Sequence, residues 1–550
     1  MKRNKGSNKA SKKAYAESKK NMRASEYKPL LFTTTVRNPQ RLKALLNIFA
    51  KFDGQILTDD LATLIVCELI RYGLYRPTKQ SKAIKDKWTT TSKGNFAEFV
   101  LTDEEVKYIF KHNPQDHKEA GFAKGYPSRF ATFFDFAKEL GFVYYQPNEA
   151  IEFSEIGKKF ANIFSAKIEN GNIIVTEEHP EYEQQAFLQA MAKSQRNNPF
   201  VRVLNENIPL ILLLETIEKL NTTPEFNKVG ISRKELPLLI FWKDNDAEAL
   251  CQRIKKLRSE YGYNPSDEVI IDICTKEILP NFKKFKPKSV VSEYPDEFIR
   301  KMRLTGLISL RGAGRFIDIN HNENERVEYV LSHYSHYQKY KTEKAYFDYM
   351  AQIDENLFAI TPIIADATRS EELLQNWVTT YDWNSIKSEL NILATRNKIS
   401  KDVVLKILPN PVRLEFLTAL AIKSKLPEIR VIPNYPCDDE GLPTSTAGGI
   451  GDKGDIECFE KSNGILVEVT MAEGRIQTTM EVWPISRHLE TFQTKYTPNS
   501  QCIFIAPSIF RDSERQIAFV KQTDNLTIRS YKIDDFVRYL ETENKLYAAV

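Results

Sequence analysis

The pattern of apolar and polar positions predicts two similar units within the first 340 residues. The first unit, residues 127–160, begins with apolar side chains at the spacing of one helix face: Phe130, Phe133, Phe134, Ala137 and Leu140. Gly141 follows at the position where a helix ends. The segments "FVYY" and "AIEF" then alternate as two strands do, which predicts a β-hairpin around Pro147–Asn148.

The second unit, residues 294–320, repeats this order. Phe298, Met302 and Leu304 lie on a predicted helix that ends at Gly306, and "LISL" and "RFIDI" pair around Gly312–Gly314. A helix, a glycine and a two-stranded wing are typical of the winged-helix variant of the helix-turn-helix, whose helix enters the DNA major groove. The same order also occurs in α+β proteins that do not bind DNA. DNA binding is favoured here because the order occurs twice, each time with basic residues on the polar face of the helix.

The last quarter of the chain, from residue 411, alternates strands and helices. A helix over "PVRLEFLTALAIKS" precedes a hairpin over residues 454–470, in which Asn463–Gly464 predicts a type I′ turn. A helical stretch over 474–494, kinked at Pro484, a buried strand "CIFIAP" and a final strand and helix follow. This order predicts an α/β sheet.

The chain is therefore predicted to be a multidomain α+β protein. Its predicted parts are a basic flexible tail, two winged-helix-like DNA-recognition subdomains, a helical linker and a C-terminal α/β domain. They occupy residues 1–28, 29–185, 186–340, 341–405 and 406–550, respectively.

Charge is unevenly distributed. The net charge is +5, but residues 1–28 alone carry +8 and the remainder −3, so a polyanion must be bound by local patches. Two interpretations of the tail stay open, an arm that tracks along DNA or a solubilising terminus. The six cysteines form no CxxC pair, the N-terminus has no apolar leader, and the longest apolar run is Ile208–Leu214. These features predict a cytoplasmic protein that does not enter a membrane.

Basic residues on the two predicted helices are candidates for contact with DNA. The candidates also include two arginines in "TTTVRNPQR", and ordinary surface placement is the alternative for all of them. They are Arg37, Arg41, Arg129, Lys138, Arg300, Lys301 and Arg303. The acidic run at residues 438–440 is predicted to be a solvated loop.

Four acids are predicted to converge on the edge of the C-terminal sheet. Asp455 begins the first strand of the hairpin, Glu468 lies within the second, and Glu415 and Glu481 lie on flanking helices. Oxygen ligands of this kind suit Mg²⁺, which can polarise a phosphodiester and activate water. His488, on the helical stretch that holds Glu481, could orient water or contact phosphate.

The spacing Asp455-x₁₂-Glu468-x-Thr470 resembles the core of the PD-(D/E)xK nucleases. It departs from that pattern at Gly454, where proline is usual, and at Thr470, where lysine is usual. The missing lysine leaves open which group activates water, with Glu481 and His488 as candidates. The spacing alone has many accidental matches.

A longer series is far more specific. Three segments follow one another in the chain: "NPVRLEFLTAL", the stretch from "STAGGIGDKGDIE" to "ISRHLETF", and "CIFIAP". Their order resembles that of the AlwI family of type IIS restriction and nicking endonucleases. The resemblance is close over the last quarter of the chain and looser in the overall layout. The resemblance implies a restriction-endonuclease-like nuclease domain at residues 406–550. It implies that Asp455, Glu468 and Glu481 bind Mg²⁺ and catalyse, with Glu415 and His488 at the same site.

The resemblance also implies recognition of a short asymmetric site in double-stranded DNA and cleavage a few base pairs outside it. A transient homodimer or a second nuclease subunit would complete double-strand cleavage. Three alternatives stay open: a strand-specific nicking subunit, a non-catalytic winged-helix regulator, and a nuclease that acts on branched or damaged DNA.

Overall fold

The computed structural model describes residues 39–89, 93–118, 121–223, 229–279, 286–363, 367–395, 399–447 and 453–547. Within them, no helix is long and apolar enough to cross a bilayer. The predicted basic tail and Arg37 lie outside the described residues.

The first part of the chain packs helices and two hairpins around a core of aromatic rings. The helices are α1 (Leu42–Phe49), α2 (Asp59–Arg71), α3 (Lys82–Lys87), α4 (Asp103–His112), α5 (Tyr126–Glu139) and α6 (Glu155–Ala161). The strands are β1 (Val143–Tyr144), β2 (Glu152–Phe153), β3 (Phe164–Glu169) and β4 (Asn172–Glu177), paired β1 with β2 and β3 with β4. The ring centroids of Phe49, Phe130 and Phe134 lie 4.4–5.0 Å apart and anchor α5 to α1.

The second part surrounds a three-stranded sheet of order β5-β7-β6. Its helices are α7 (Glu181–Lys193), α8 (Pro209–Asn221), α9 (Leu236–Phe241), α10 (Ala247–Tyr261), α11 (Asp267–Asp272), α12 (Tyr294–Arg303) and α13 (Asn324–Tyr334). Its strands are β5 (Ile231–Ser232), β6 (Ile308–Arg311) and β7 (Phe316–Ile319).

Both predicted helix–hairpin units therefore exist, as α5 with β1–β2 and α12 with β6–β7. Their winged-helix role in DNA recognition stays a prediction.

The helices of the segment predicted as a linker, residues 341–405, pack against different parts of the protein. Helices α14 (Glu343–Ala351) and α15 (Glu355–Ala359) pack against the first two parts, where Gln195 N donates to the hydroxyl of Tyr346 at 3.0 Å. Helices α16 (Ala367–Thr380) and α17 (Trp383–Thr395) pack against the C-terminal part, where the ring of Trp377 meets that of Phe416. The predicted domain boundaries stay a prediction.

The C-terminal part is a five-stranded mixed sheet of order β12-β11-β10-β9-β8 between two helical layers. Its strands are β8 (Arg430–Pro433), β9 (Ile456–Glu460), β10 (Asn463–Val469), β11 (Gln501–Ala506) and β12 (Ile528–Lys532). Its helices are α18 (Asn410–Lys425), α19 (Gly474–Met480), α20 (Val482–Lys495), α21 (Arg511–Asp524) and α22 (Ile533–Thr542).

Alternating side chains of this sheet separate two cores, as a pleated strand requires. Ile465 and Val467 pack with α18 and α22, whereas Leu466 packs with α20 and α21. Strands β10, β11 and β12 run parallel, and β8, β9 and β10 run antiparallel. The molecule is thus a mixed α/β protein of several parts, as predicted.

The predicted turn at Asn463–Gly464 is wrong. The turn is Lys461–Ser462, with Lys461 in the left-handed region (φ +56°), and Asn463 and Gly464 are strand residues. Gly464 is needed for a different reason, because a β-carbon there would come within 2.7 Å of the Phe492 ring of α20. Glycine occurs at position 464 because α20 packs closely on the sheet there, and not because the chain turns.

Two further predictions change in detail. The helical stretch over 474–494 breaks at Glu481, and Pro484 lies in the first turn of α20, where the missing amide proton is tolerated. The acidic run at 438–440 is not a solvated loop. Asp438 is fully buried, and the run docks on hairpin β6–β7 through Arg311.

Candidate active site

Strand register brings Asp455 and Glu468 together. Ile456 pairs with Val467, so Asp455, one residue before β9, lies opposite Glu468. The backbone N–H of Val469 donates to Asp455 Oδ2 at 2.8 Å. A turn at 463–464 would have set Asp455 opposite Ala472, so the turn at 461–462 decides which side chain faces Asp455.

Asn434, just after β8, holds the backbone on which Asp455 sits. Its N–H donates to Asp455 O at 2.9 Å, and its Nδ2 donates to Gly454 O at 2.8 Å. The approach of Asp455 to β10 is therefore fixed from both neighbouring strands.

Glu468 is buried between His488 and Gly454. His488 Nδ1 lies 2.9 Å from Glu468 Oε1, which links β10 to α20. A β-carbon at position 454 would come within 2.4 Å of the same oxygen and 2.5 Å of Leu466 Cδ1. Glycine in place of the usual proline therefore gives the Glu468 carboxylate its space.

Thr470, where the related nucleases carry lysine, contacts the third acid. Its hydroxyl donates to Glu481 Oε1 at 3.0 Å and accepts from Ala472 N at 3.0 Å. Glu481 lies at the break between α19 and α20, so its side chain leaves the helix axis toward the end of β10. The hydroxyl thus ties Glu481 to the strand that holds Glu468.

These three carboxyl groups are electrostatically coupled. Burial and the Glu468 carboxylate raise the pKa of Asp455 well above its ordinary value, and Glu481 raises it further. Burial and Glu481 raise the pKa of Glu468 to about 8. Burial is the larger cause of both pKa shifts, and the closeness of the carboxyl groups adds to it.

Glu415 occupies a related position. It is buried on α18, and its Oε2 accepts from the backbone N–H of Ala447 at 2.9 Å. Ala447 precedes Asp455 in the chain, so Glu415 holds the backbone ahead of the site; its part in the reaction stays a prediction.

The chemistry of the three acids suits a hard divalent cation. The atoms they offer to a metal ion are carboxylate oxygens, and a bound cation would reduce the repulsion between the three carboxylates. Within the described residues, no three His, Cys, Asp or Glu side chains already form a group that could hold a metal ion. Binding a cation therefore requires these side chains to turn toward a common point.

The basic candidates of the first part make internal contacts. Arg41 Nη2 donates to Leu74 O at 2.9 Å, Arg129 Nε donates to Gln115 Oε1 at 2.9 Å, and Lys138 Nζ lies 3.3 Å from Glu343 Oε2. Each is partly or largely buried. Their contact with DNA stays a prediction.

The basic candidates on α12 face the protein. Lys301 is fully buried and bonds to Glu297 at 2.8 Å, and Arg303 pairs with Asp438. Arg300 donates to the carbonyls of Lys406 and Ile407. In this arrangement the three side chains join α12 to its surroundings, and their contact with DNA stays a prediction.

Sequence reasoning overlooked the roles of Gly454 and Asn434. The departure of Gly454 from the usual proline was a usable signal for close approach. Asn434 gave no signal, because it lies 20 residues before Gly454 and only the β8–β9 pairing brings it there.

Comparisons with known proteins extend these observations. A model of the AlwI restriction endonuclease family matches residues 138–408 and 364–537. No curated protein sequence matches the chain.

Two solved structures show distant similarity. The small subunit (R.BspD6I2) of the heterodimeric restriction endonuclease R.BspD6I is 25% identical, with 28% of this chain and 74% of that chain covered and a TM-score of 0.23. Restriction endonuclease FokI bound to DNA is 11% identical, with 92% and 94% covered and a TM-score of 0.21. TM-scores this low carry no argument about geometry.

Proposed function

The chain belongs to the AlwI restriction endonuclease family, and from this premise we propose that it is a type IIS site-specific deoxyribonuclease. It recognises a short asymmetric sequence in double-stranded DNA and hydrolyses a phosphodiester bond a few base pairs outside it. The observation that carries the proposal is the placement of Asp455, Glu468 and Glu481 together where β9 begins and β10 ends, with Asp455 bonded to Val469 N and Glu481 bonded to Thr470.

Divalent metal use is general among restriction endonucleases, and Mg²⁺ is the cation we propose. Asp455, Glu468 and Glu481 would hold it. When bound, such an ion polarises the scissile phosphate and lowers the pKa of an attacking water.

The remaining chemistry belongs to the side chains. His488 Nδ1 holds Glu468 Oε1 in place, and the Thr470 hydroxyl orients Glu481. Thr470 has no basic group, so the water proton must pass to another side chain. The two candidates are Glu481, which is itself one of the proposed ligands, and His488, whose Nδ1 lies 2.9 Å from Glu468 Oε1.

Recognition would use the helix–hairpin units of the first two parts. The two units differ in sequence and belong to one chain, so no two-fold axis is imposed on the DNA site. This arrangement suits an asymmetric sequence.

One site of this kind acts on one phosphodiester bond at a time. Double-strand cleavage would then need a transient homodimer or a second nuclease subunit, and a monomer would nick one strand. Strand-specific nicking is therefore the second candidate function.

The test is cleavage of long plasmid DNA with Mg²⁺, followed by run-off sequencing of both strands. We expect breaks at one constant distance from one asymmetric sequence. Breaks in both strands indicate a cutting enzyme, and breaks in one strand indicate a nickase. Breaks that follow DNA branches or lesions, or no breaks at all, would reject the proposal.

Two isosteric variants test the site itself. Asp455→Asn and Glu468→Gln should lower cleavage at least about 10³-fold, because each removes a carboxylate charge from the reaction centre. Both should retain specific DNA binding in a gel-shift assay. Wild-type cleavage by either variant would show that the site is elsewhere, and the loss of specific binding would indicate misfolding.

A further inference from the structure

The acidic turn, residues 438–440, joins the C-terminal part to hairpin β6–β7 of the second part. Arg311 at the end of β6 is the centre of this contact. Its Nη2 lies 2.8 Å from Asp439 Oδ2, its Nη1 pairs with Glu440 Oε1, and its Nε lies 2.7 Å from Asp318 Oδ2. A planar guanidinium with three carboxylate partners fixes direction as well as distance.

The backbone of the turn is also held. Asp439 N donates to Asn320 Oδ1 at 3.2 Å, and His321 N donates to Asp439 Oδ2 at 3.0 Å. The hydroxyl of Ser309 donates to Asp439 Oδ1. The turn therefore contacts strand β6 and the segment that follows β7.

A buried pair lies beside this contact. Arg303 Nη2, at the end of α12, lies 3.4 Å from Asp438 Oδ2 and 3.2 Å from Pro443 O. Asp438 is fully buried and accepts the N–H groups of Glu440 and Leu442, which gives the turn its shape. The acidic turn is thus preformed on its own side of the contact.

The turn is equally fixed to the C-terminal part. Trp377 Nε1 on α16 donates to Glu440 O at 2.7 Å. A β-carbon on Gly441 would come within 2.6 Å of Leu373 Cβ, so the turn lies directly on α16. The turn is therefore held between hairpin β6–β7 and α16.

A second contact prevents rotation about the first. Arg233 Nη2 donates to Val403 O at 3.2 Å, and Lys406 Nζ lies 2.8 Å from Asp296 Oδ1. A β-carbon on Gly314, in the turn between β6 and β7, would come within 2.7 Å of Val404 Cγ2. Two separate contacts define both the distance and the angle between the parts.

We propose that the acidic turn sets the distance from the recognised sequence to the cleaved bond. The inference rests on the proposed function, in which the first two parts bind the site and the C-terminal part cuts. Successive phosphates along a DNA strand are about 3.4 Å apart along the axis. A displacement of about 3.4 Å between the C-terminal part and the first two parts would therefore move the cut by one nucleotide. The contacts of the acidic turn prevent such a displacement.

The test is the double variant Asp439→Ala/Glu440→Ala of the full chain. The cleavage positions on both strands are mapped by run-off sequencing at single-nucleotide resolution. We expect the single wild-type position to spread over two or more neighbouring phosphodiester bonds, with specific DNA binding unchanged. The single variant Glu440→Ala, which leaves Asp439 and its backbone contacts, should give a narrower spread.

A matched control is Glu428→Ala/Glu543→Ala. Both residues are exposed on the C-terminal part, and the change in charge is the same. Its cut should stay at the wild-type position. Thermal unfolding of every variant establishes that the fold is retained.

Three outcomes overturn the inference. A double variant that cuts at the single wild-type position shows that the acidic turn does not set the distance. A variant that cuts at one position but also attacks DNA without the site shows that the contact restrains the nuclease instead. Loss of cutting with retained binding shows that the contact serves catalysis. If the wild type itself lacks a constant cut distance, the proposed function fails first.

Discussion

Gly454 lies directly against Glu468: a β-carbon at position 454 would come within 2.4 Å of Glu468 Oε1. That oxygen also contacts His488 Nδ1 at 2.9 Å, so it cannot retreat without losing its partner. The residue at position 454 therefore determines where the Glu468 carboxylate lies.

Gly454→Ala should lower cleavage by about 100-fold, because a displacement of about 1 Å at a reacting centre has effects of this size. Specific DNA binding should be retained, and the melting temperature should fall because the β-carbon would also come within 2.5 Å of the buried Leu466 Cδ1. Initial rates on a plasmid with one site provide the measurement. A Gly454→Ala enzyme with the wild-type rate would show that Glu468 tolerates displacement.

Thr470 holds Glu481 by a single hydroxyl. Thr470→Val keeps the shape of the side chain and removes that hydrogen bond, so the cleavage rate should fall by about 10- to 100-fold. Thr470→Ser keeps the hydroxyl and should retain most of the rate. The reduction in Thr470→Val should appear in kcat, with KM nearly unchanged. Equal loss in both variants would assign Thr470 to packing only.

A divalent cation should stabilise the folded protein through the three acids. Ca²⁺ at about ten times its dissociation constant would add about 1.4 kcal/mol to the free energy of unfolding. Calorimetry of the wild type with and without Ca²⁺ measures the shift in melting temperature. The double variant Asp455→Asn/Glu468→Gln should lose the shift, and an equal shift in both proteins would place the cation elsewhere.

A buried ion pair makes a separate prediction about stability. Arg258 on α10 donates from Nε to Glu235 Oε1 at 2.7 Å and from Nη2 to Glu235 Oε2 at 2.9 Å, and both side chains are nearly inaccessible. Arg258→Met should destabilise the fold by about 3–5 kcal/mol, because it leaves a buried carboxylate unpaired.

The double variant Glu235→Gln/Arg258→Met should recover most of this loss, since glutamine is neutral and can still accept from Ser232 N. Lys256→Met on the exposed face of α10 is the control and should change stability by less than about 0.5 kcal/mol. Denaturant unfolding gives the free energies. If the double variant is as unstable as Arg258→Met, loss of packing explains the effect.

The sequence by itself determined the local features of this protein. The helix–glycine–hairpin order of both units follows from apolar spacing and glycine, which act over a few residues. Asp455 and Glu468 could be picked out because their spacing in the sequence resembles a nuclease pattern, whereas their position opposite each other depends on the turn at Lys461–Ser462. Family membership also follows from the sequence.

Only the tertiary structure decided how those local features meet. The residues around Asn463–Gly464 look like a turn, yet packing of Phe492 on Gly464 places them in a strand and moves the turn two residues back. The acidic run and the basic face of α12 each look solvent-exposed in the sequence. The acidic run is buried because its charges meet partners more than 120 residues away: Asp438 pairs with Arg303 of α12, and Asp439 and Glu440 pair with Arg311 of β6. Lys301 of α12 is buried with a partner in its own helix, Glu297. Periodicity reports which side chains avoid water, but the identity of a charged partner depends on contacts that local pattern does not encode.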